Sequence, residues 1–334
     1  MLPQTPLQTP RTTRSSTMRA AVLVEPGRFE IQRRPIPEPG PDQVRIRLEG
    51  CGVCASNLPP FEGRDWFEYP FEPGAPGHEG WGVIEALGRR VQGLAVGDRV
   101  TALSYHAYAT HDLAAASHVV KLPDALADTP VLGEPLGCAI NIFRRAAIEA
   151  GQTVAIVGIG FLGALLVQLA AHAGARVLAL SRRPCALEVA RQWGAAEALR
   201  IGDHSALIAR VRELTNGELC ERVIEATGEQ LPLDLATELT GIRGRLVIAG
   251  YHQDGPRQAN MQLWNWRGLD VINAHERDAA RYLEGMREGV GAVVEGRFVP
   301  RPLLTHRFEL DALGDAMKLA GARPPGFMKA IVTP

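Results

Sequence analysis

Three separated segments of the chain carry the side chains with the most chemistry to offer. The first, Glu49 to Asn57, holds Cys51 and Cys54; the second, Pro76 to Val83, holds His78 and Glu79; the third, Gly133 to Cys138, holds Glu134 and Cys138. Thiolate and imidazole are the ligands that borderline-soft Zn²⁺ prefers. Three protein ligands with one open position mark a catalytic zinc, whereas a closed structural site uses four. Cys51 and Cys54 form one CxxC without a second, so a zinc ribbon is not expected, and the pair lacks the strand-to-helix setting of a thioredoxin-like redox motif. Cys185, Cys220, His172, His204 and His306 stand apart from these segments and read as ordinary core or surface residues.

A fourth stretch, Thr153 to Arg183, reads as strand, glycine turn, helix, strand. Val154 to Val157 is a continuous apolar run, as in a parallel strand buried on both faces. Gly158-Ile159-Gly160-Phe161-Leu162-Gly163 supplies GxGxxG: the first glycine for the turn, the second for close approach of a pyrophosphate, the third for helix-on-strand packing. The helix expected from Phe161 to Ala173 would direct its unpaired N–H groups and positive dipole end at the phosphates. Gly174 ends that helix and Arg176 to Leu180 forms the next strand, which places the ribose-reading position at Ser181, Arg182 or Arg183. An acidic residue there would repel a 2′-phosphate. A hydroxyl and two cations favour NADP over NAD.

These segments need elements to position them. The 334 residues are enough for two domains with real cores, and 46% hydrophobic with 22% charged residues is an ordinary globular composition. A net charge of −1 and a pI near 6.8 leave no electrostatic footprint for nucleic acid or an anionic membrane. No uncharged apolar run approaches 18 residues. Five cysteines without a signal peptide point to reduced thiols in the cytoplasm rather than a disulfide framework.

Met1 to Thr17 is rich in Pro, Thr, Ser and Gln and is expected to be a disordered tail, with the fold starting at Met18. From Met18 to about Pro123 short strands such as Ala20 to Val24, Gln43 to Glu49, Trp81 to Leu87 and Ser117 to Leu122 alternate with Gly and Pro, as in an all-β unit. From Val131 helices alternate with apolar strands, including Arg222 to Ala226 and Arg245 to Ala249, which implies a parallel sheet. After about Asn273 the rhythm stops. Phe308 to Leu310, a helix over Asp311 to Ala320 and a strand over Lys329 to Val332 then return to the first unit, and a cleft between the two units is the expected ligand site.

Together the motifs resemble those of the zinc-dependent medium-chain dehydrogenase/reductase superfamily, of alcohol and polyol dehydrogenase type, from about Met18 to the end. Gly52-Val53-Cys54-Ala55-Ser56 matches the pattern around its first zinc ligand. Gly77-His78-Glu79-Gly80-Trp81-Gly82-Val83 matches GHExxGxV, with Gly97-Asp98-Arg99-Val100 following, and Glu134-Pro135-Leu136-Gly137-Cys138 matches its third region. The resemblance implies an α/β chain with a GroES-like β-rich catalytic domain (18–135 and 274–334) and a doubly wound parallel-sheet Rossmann domain (136–273). It implies one catalytic zinc on Cys54, His78 and Cys138, Glu79 adjacent or transiently coordinating, Cys51 a non-ligand, and Glu134 either near the metal or a salt-bridged carboxylate behind the ligands. Ser56 would take the substrate's hydroxyl proton, and Gly158, Gly160, Phe161, Leu162, Gly163, Ser181, Arg182 and Arg183 would hold the cofactor.

The implied reaction is hydride transfer between NAD(P) and a secondary alcohol or its ketone, with the polyol-like third region pointing to neighbouring hydroxyls. A homo-oligomer, dimer or tetramer, is expected. The alternatives are a zinc-free NADPH quinone or enoyl reductase of the same superfamily and a non-catalytic nucleotide-binding protein. The chain departs from the family pattern in three places. Asn57 stands where an Asp commonly orients the zinc-bound histidine, so its amide oxygen is expected to accept the His78 N–H. The usual relay histidine is missing near Pro59, so Ser56 would pass its proton to water, to a ribose hydroxyl or to another side chain, His111 being one candidate. No cysteine lies between Arg99 and Pro123, so no structural zinc is expected. The aromatic stretch Arg64 to Phe71 and the Trp264-Asn265-Trp266 segment are candidate cleft or interface residues.

Overall fold

The computed structural model describes residues 16–253 and 255–334; of the tail expected over Met1 to Thr17, residues 1–15 lie outside them, and the expectation fails at its end, where Thr17 already belongs to the first strand, paired with Pro35. The first unit begins with the hairpin β1 (Thr17–Glu25) and β2 (Arg28–Pro35), turned at Gly27 with φ +76. It continues through β3 (Gln43–Gly52), the short helix α1 (Leu58–Glu62), β4 (Gly80–Leu87), β5 (Arg99–Ala102), β6 (His111–Ala115) and β7 (Val119–Lys121). The strand expected over Ser117 to Leu122 starts two residues later, because a single 3₁₀ turn at Ala116–His118 lets the chain leave β3, which β6 pairs, and join β5, which β7 pairs.

Next come α2 (Gly133–Ala146), β8 (Thr153–Val157), α3 (Phe161–His172), β9 (Arg176–Ser181), α4 (Pro184–Gln192), β10 (Glu197–Arg200) and α5 (His204–Leu214). The alternation continues with β11 (Cys220–Glu225), α6 (Gln230–Leu239), β12 (Thr240–Ile248), α7 (Met261–Arg267) and β13 (Asp270–Asn273). Among the described residues these strands form a six-stranded sheet, β10-β9-β8-β11-β12-β13, parallel throughout. Val154 to Val157 are fully buried, as the uninterrupted apolar run requires of a strand covered by helices on both faces. The strand order reverses between β8 and β11. The crevice past their carboxyl ends is where such sheets bind ligands.

After Asn273 the strand alternation stops, and a long helix absent from the sequence expectation follows: α8 (Ala279–Val294), N-capped by Asp278. It lies against α2, and glycines set the approach. A Cβ at Gly137 would come within 2.9 Å of the Met286 backbone nitrogen, and one at Gly289 within 2.8 Å of Leu136 Cβ. β14 (Leu304–Glu309), α9 (Leu313–Ala322) and β15 (Lys329–Thr333) then rejoin the first unit, with β15 pairing β3. One apolar core runs from Trp81, Val120 and Val131 through α2 and α3 to Met286, Met328 and Ile331, so the two units share packed walls. No helix among the described residues is long and apolar enough to cross a membrane.

Candidate active site

The antiparallel register of β3 on β4 places Cys51 opposite Gly80. Residues that follow β3 and residues that precede β4 therefore leave the sheet at the same edge. Cys54 opens the 3₁₀ turn Ala55–Asn57, and His78 and Glu79 directly precede β4. Their ligand atoms all lie within 4.8 Å of one another. Cys138 is not part of that close group, whose third member is Glu79 where the resemblance implies Cys138. Cys51 is buried in the core of the first unit, with its thiol on the Gly52 carbonyl.

The imidazole is oriented by backbone. His78 Nδ1 donates to the Pro76 carbonyl at 2.9 Å, which leaves Nε2 as the lone-pair nitrogen. The expectation for Asn57 is overturned here. Its Nδ2 donates to the same carbonyl at 3.0 Å, and its oxygen is turned away to accept from Tyr108 Oη at 2.7 Å and Cys54 N at 3.3 Å. Since a carbonyl only accepts, Pro76 fixes which end of the amide faces it. Asn57 thus braces the loop, and Pro76 has the orienting role. Ser56 Oγ stands 3.5 Å from His78 Nε2. His111 is engaged on β6 with Thr110 Oγ1 at 3.0 Å and Glu85 at 3.3 Å.

Glu79 is only 1% exposed, and Lys329 Nζ at the start of β15 donates to its Oε1 at 2.6 Å. Its Oε2 is buried without a hydrogen-bond partner. Gly52 makes the space for that oxygen, since a Cβ there would lie 1.8 Å from it. An unpaired buried carboxylate oxygen is costly. Burial works against charge on His78, yet Cys54 beside it, with Glu134 and Glu79, raises its pKa to about 10. The pocket is a place for positive charge. Two lone-pair donors suited to Zn²⁺ and an orphan carboxylate oxygen fit a bound divalent cation.

The opposite wall is α2, where Glu134 and Cys138 sit one turn apart on the same face. Tyr282, in the first turn of α8, donates its hydroxyl proton to Glu134 Oε1. Burial, then Glu134 and Cys54, push the Cys138 thiol well up from its ordinary range. Tyr105 stacks on His78 with centroids 6.1 Å apart, and Tyr251, after β12, stacks on His275, after β13, at 5.2 Å. These aromatic neighbours have no spacing signature and were not singled out from the sequence.

The glycine turn has the geometry its motif demands. Gly158 has φ +105 and touches the loop after β11, where a Cβ would meet Thr227 Cγ2 at 2.5 Å. A Cβ at Gly163 would lie 2.1 Å from the Gly158 carbonyl, whereas Gly160 faces open space. Phe161 and Leu162 begin α3. Ser181 is buried and its Oγ accepts from Arg183 N. The two arginines differ. Arg182 is an exposed side chain 3.4 Å from Glu229, while Arg183 spends its guanidinium on the Phe327 carbonyl at 2.6 Å and the Ile159 carbonyl at 2.9 Å. Glu225, fully buried at the end of β11, accepts from the Thr227 and Gly228 N–H groups at 2.6 and 2.9 Å and meets His252 Nε2 at 3.1 Å. One lysine joins the two halves: Lys329 Nζ, bonded to Glu79, also lies 5.1 Å over the Phe161 ring at the start of α3.

Comparison with known proteins agrees with both halves. Residues 40–126 match the alcohol dehydrogenase GroES-like domain, and residues 162–290 match the zinc-binding dehydrogenase model. An alcohol dehydrogenase of Cupriavidus necator is 26% identical over 96% of this chain and 100% of its own length. A sorbitol dehydrogenase of Gallus gallus is 27% identical over 90% of this chain and 92% of its own. Among solved structures, a protein of Sinorhizobium meliloti 1021 assigned to the zinc-binding dehydrogenases and bound to NADP superposes with a TM-score of 0.82. It is 25% identical and covers 96% of this chain and 100% of its own. The chain belongs to the zinc-type medium-chain dehydrogenase/reductase family.

As a dehydrogenase of this family, with the GroES-like and Rossmann-like architecture the resemblance implied, the chain works on a small molecule with NAD(P). Tyr105 belongs to the first unit, and the stacked Tyr251 and His275 belong to the second. Tyr251 and Cys54 both act electrostatically on Tyr105, whose pKa is raised chiefly by burial. The aromatic stretch named from the sequence takes other places. Trp66 is 55% exposed beside Phe67, Trp264 packs on the second unit with its Nε1 on Thr237 Oγ1, and Trp266 is 85% exposed.

Proposed function

We propose that this dehydrogenase interconverts a secondary alcohol, one bearing neighbouring hydroxyls as in a polyol or sugar, with its ketone, using one Zn²⁺ and preferring NADP to NAD. The observation that carries this reading is the buried, unpartnered Oε2 of Glu79 beside Cys54 and His78, tied through Lys329 to the first residue of the glycine-turn helix. The chemistry that a bound zinc and nicotinamide bring is Lewis acidity toward an alcohol or carbonyl oxygen and a hydride acceptor or donor. Cys54 Sγ, His78 Nε2 and Glu79 Oε2 would hold the ion, with Glu134 and Cys138 behind it on α2. The Pro76 carbonyl keeps Nδ1 protonated and Nε2 aimed at the group. Ser56 Oγ receives the substrate's hydroxyl proton, and the Tyr105 ring lies parallel to the imidazole.

Gly158, Gly160 and Gly163 with the N-terminus of α3 would take the pyrophosphate. Ser181 and Arg182 would meet the ribose and a 2′-phosphate. The polyol reading is supported by the Glu134-Pro135-Leu136 segment and the sorbitol dehydrogenase relatives. Metal analysis of the purified protein, followed by NADP⁺ and NAD⁺ turnover on polyols, aliphatic alcohols and aromatic alcohols, tests it. One zinc per chain with turnover highest on a vicinal diol is expected. No metal together with NADPH-dependent quinone reduction would replace the reading with the zinc-free one.

A further inference from the structure

One hydrogen-bonded cluster of the second unit lies outside both the glycine turn and the metal pocket. Glu225, fully buried at the end of β11, takes the Thr227 and Gly228 N–H groups on Oε1, and its Oε2 meets His252 Nε2 at 3.1 Å. On the other side of the ring Arg257 Nε donates to His252 Nδ1 at 3.0 Å, and an Arg257 terminal nitrogen donates to the Gly228 carbonyl at 2.8 Å. A guanidinium nitrogen only donates. Nδ1 is therefore the acceptor, and Nε2 carries the proton and donates it to Glu225. Given the reading of this crevice as the nucleotide site, we propose that His252 is a positioning residue for the nicotinamide half of the cofactor, because it pins the loop after β12 to the turn after β11.

The strand order says which half of the cofactor these loops meet. β9, which ends at Ser181, flanks β8 on one side, and β11 flanks it on the other. A dinucleotide with its pyrophosphate at the glycine turn and its adenosine ribose at Ser181 and Arg182 extends its nicotinamide half across the ends of β11 and β12. There the loops pack at backbone distance. Gly228 has φ +80, and a Cβ on it would lie 2.5 Å from the Tyr251 carbonyl oxygen, while one on Gly250 would lie 2.2 Å from Gly228 N. A shift of the β12 loop therefore pushes on the turn that holds Thr227, which lies against Gly158. The start of the loop is fixed by main chain, since the Ala249 and Gly250 N–H groups both donate to the Glu225 carbonyl. Beyond Gly250, His252 and Arg257 tie it to Glu225 and Gly228, and between those two fixed stretches Tyr251 is set against His275.

The test compares the whole dinucleotide with its adenosine half by calorimetric titration of the full-length protein: NADPH with 2′,5′-ADP, or NADH with ADP if the wild type binds NADH more tightly. His252→Leu is expected to weaken the dinucleotide about tenfold and to leave the fragment unchanged. His252→Gln, whose amide again offers a donor to Glu225 and an acceptor to Arg257, should recover most of that loss. Arg257→Met removes one tie and keeps the buried Glu225–His252 contact, so it should weaken the dinucleotide in the same selective way by a smaller factor. Thermal unfolding checks that each variant is folded. Equal weakening of dinucleotide and fragment by His252→Leu, an unchanged dinucleotide affinity, or no recovery in His252→Gln overturns the role given to His252 while leaving the nucleotide site standing. If His252→Leu does not fold, Arg257→Met decides by the same comparison, a selective loss supporting the role and an equal or absent loss overturning it. A wild type that binds neither NADPH nor NADH overturns the nucleotide reading and the role of His252 with it.

Discussion

The two halves of the cleft are built in opposite ways. On the nucleotide side one continuous stretch, Thr153 to Arg183, makes strand, turn, helix and strand, and the groups it offers are mostly backbone N–H at the start of α3. On the proposed metal side the groups come from the end of β3, the approach to β4, α2, α8 and the start of β15, and they are side chains, with the Pro76 carbonyl orienting His78. A site made of backbone depends on the shape of the local chain. A site gathered from five elements depends on charge balance among residues that only the tertiary fold brings together. Substitution should therefore damage the first through conformation and the second through electrostatics.

The largest effect should separate the halves outright. Cys54→Ala is expected to remove the metal and lower turnover by about a thousandfold or more, while NADPH binding, followed by nucleotide fluorescence, stays as in the wild type. A nucleotide affinity that falls with the turnover would show that the two halves are one cooperative site.

Lys329→Met sharpens the charge-balance side. Removing one partner of a buried ion pair strands the other, a loss of about 3–5 kcal/mol in urea unfolding, and Lys329→Met/Glu79→Gln should recover most of it. The pH dependence follows in sign. Burial opposes charge on Lys329, but Glu79 and Cys54 outweigh it and raise its pKa. A raised lysine contributes stability that is complete below its unfolded value, about 10.4, and is lost as pH climbs through the folded value. Wild-type stability should fall in that alkaline window, and the part of the fall due to Lys329 should be missing from the single variant.

Gly158→Ala probes the conformational side. At φ +105 a side chain is strained, at a cost of about 1–3 kcal/mol, and the new methyl meets Thr227. Cofactor affinity should drop while zinc content, read by elemental analysis, is unchanged.

The same contrast explains what the sequence made legible. Gly158, Gly160 and Gly163 could be assigned separate roles because each role is a local backbone requirement, and the geometry of all three follows those requirements. Cys54, His78 and Glu79 were nameable by type and motif, and the β3–β4 register that brings them together follows from strands placed close to where they are seen. Their supports were not. Lys329 looked like the first residue of a terminal strand, Pro76 like a turn residue, and Tyr282 lay in a helix whose existence the stopped strand rhythm concealed. Nothing in the local pattern of a lysine, a proline carbonyl or a phenol records which distant carboxylate or imidazole it meets. Asn57 shows the converse error. Its place in the motif implied an acceptor for His78, but the fold sets a carbonyl there first, and the amide had to turn its donor end inward.

The smallest effect tests whether the division between the halves is clean, because the adjacent arginines fall on different sides of it. Arg182 is exposed at the position proposed to read the ribose, and it meets Glu229 at 3.4 Å, a surface contact of little strength. Arg182→Ala should weaken NADP about tenfold, the worth of roughly one charged contact to a phosphate, and leave NAD nearly unchanged. Arg183 is half-buried, and its guanidinium joins the Ile159 carbonyl in the glycine turn to the Phe327 carbonyl just ahead of Lys329. Its charge is already committed to two carbonyls, so Arg183→Ala should lower affinity for NADP and NAD by the same factor and also lower the urea midpoint. If instead Arg183→Ala were selective for NADP, its guanidinium would have to leave those carbonyls when the cofactor binds. The glycine turn and the Lys329 segment would then come apart on binding, and the two halves would be coupled through Arg183 as well as through Lys329.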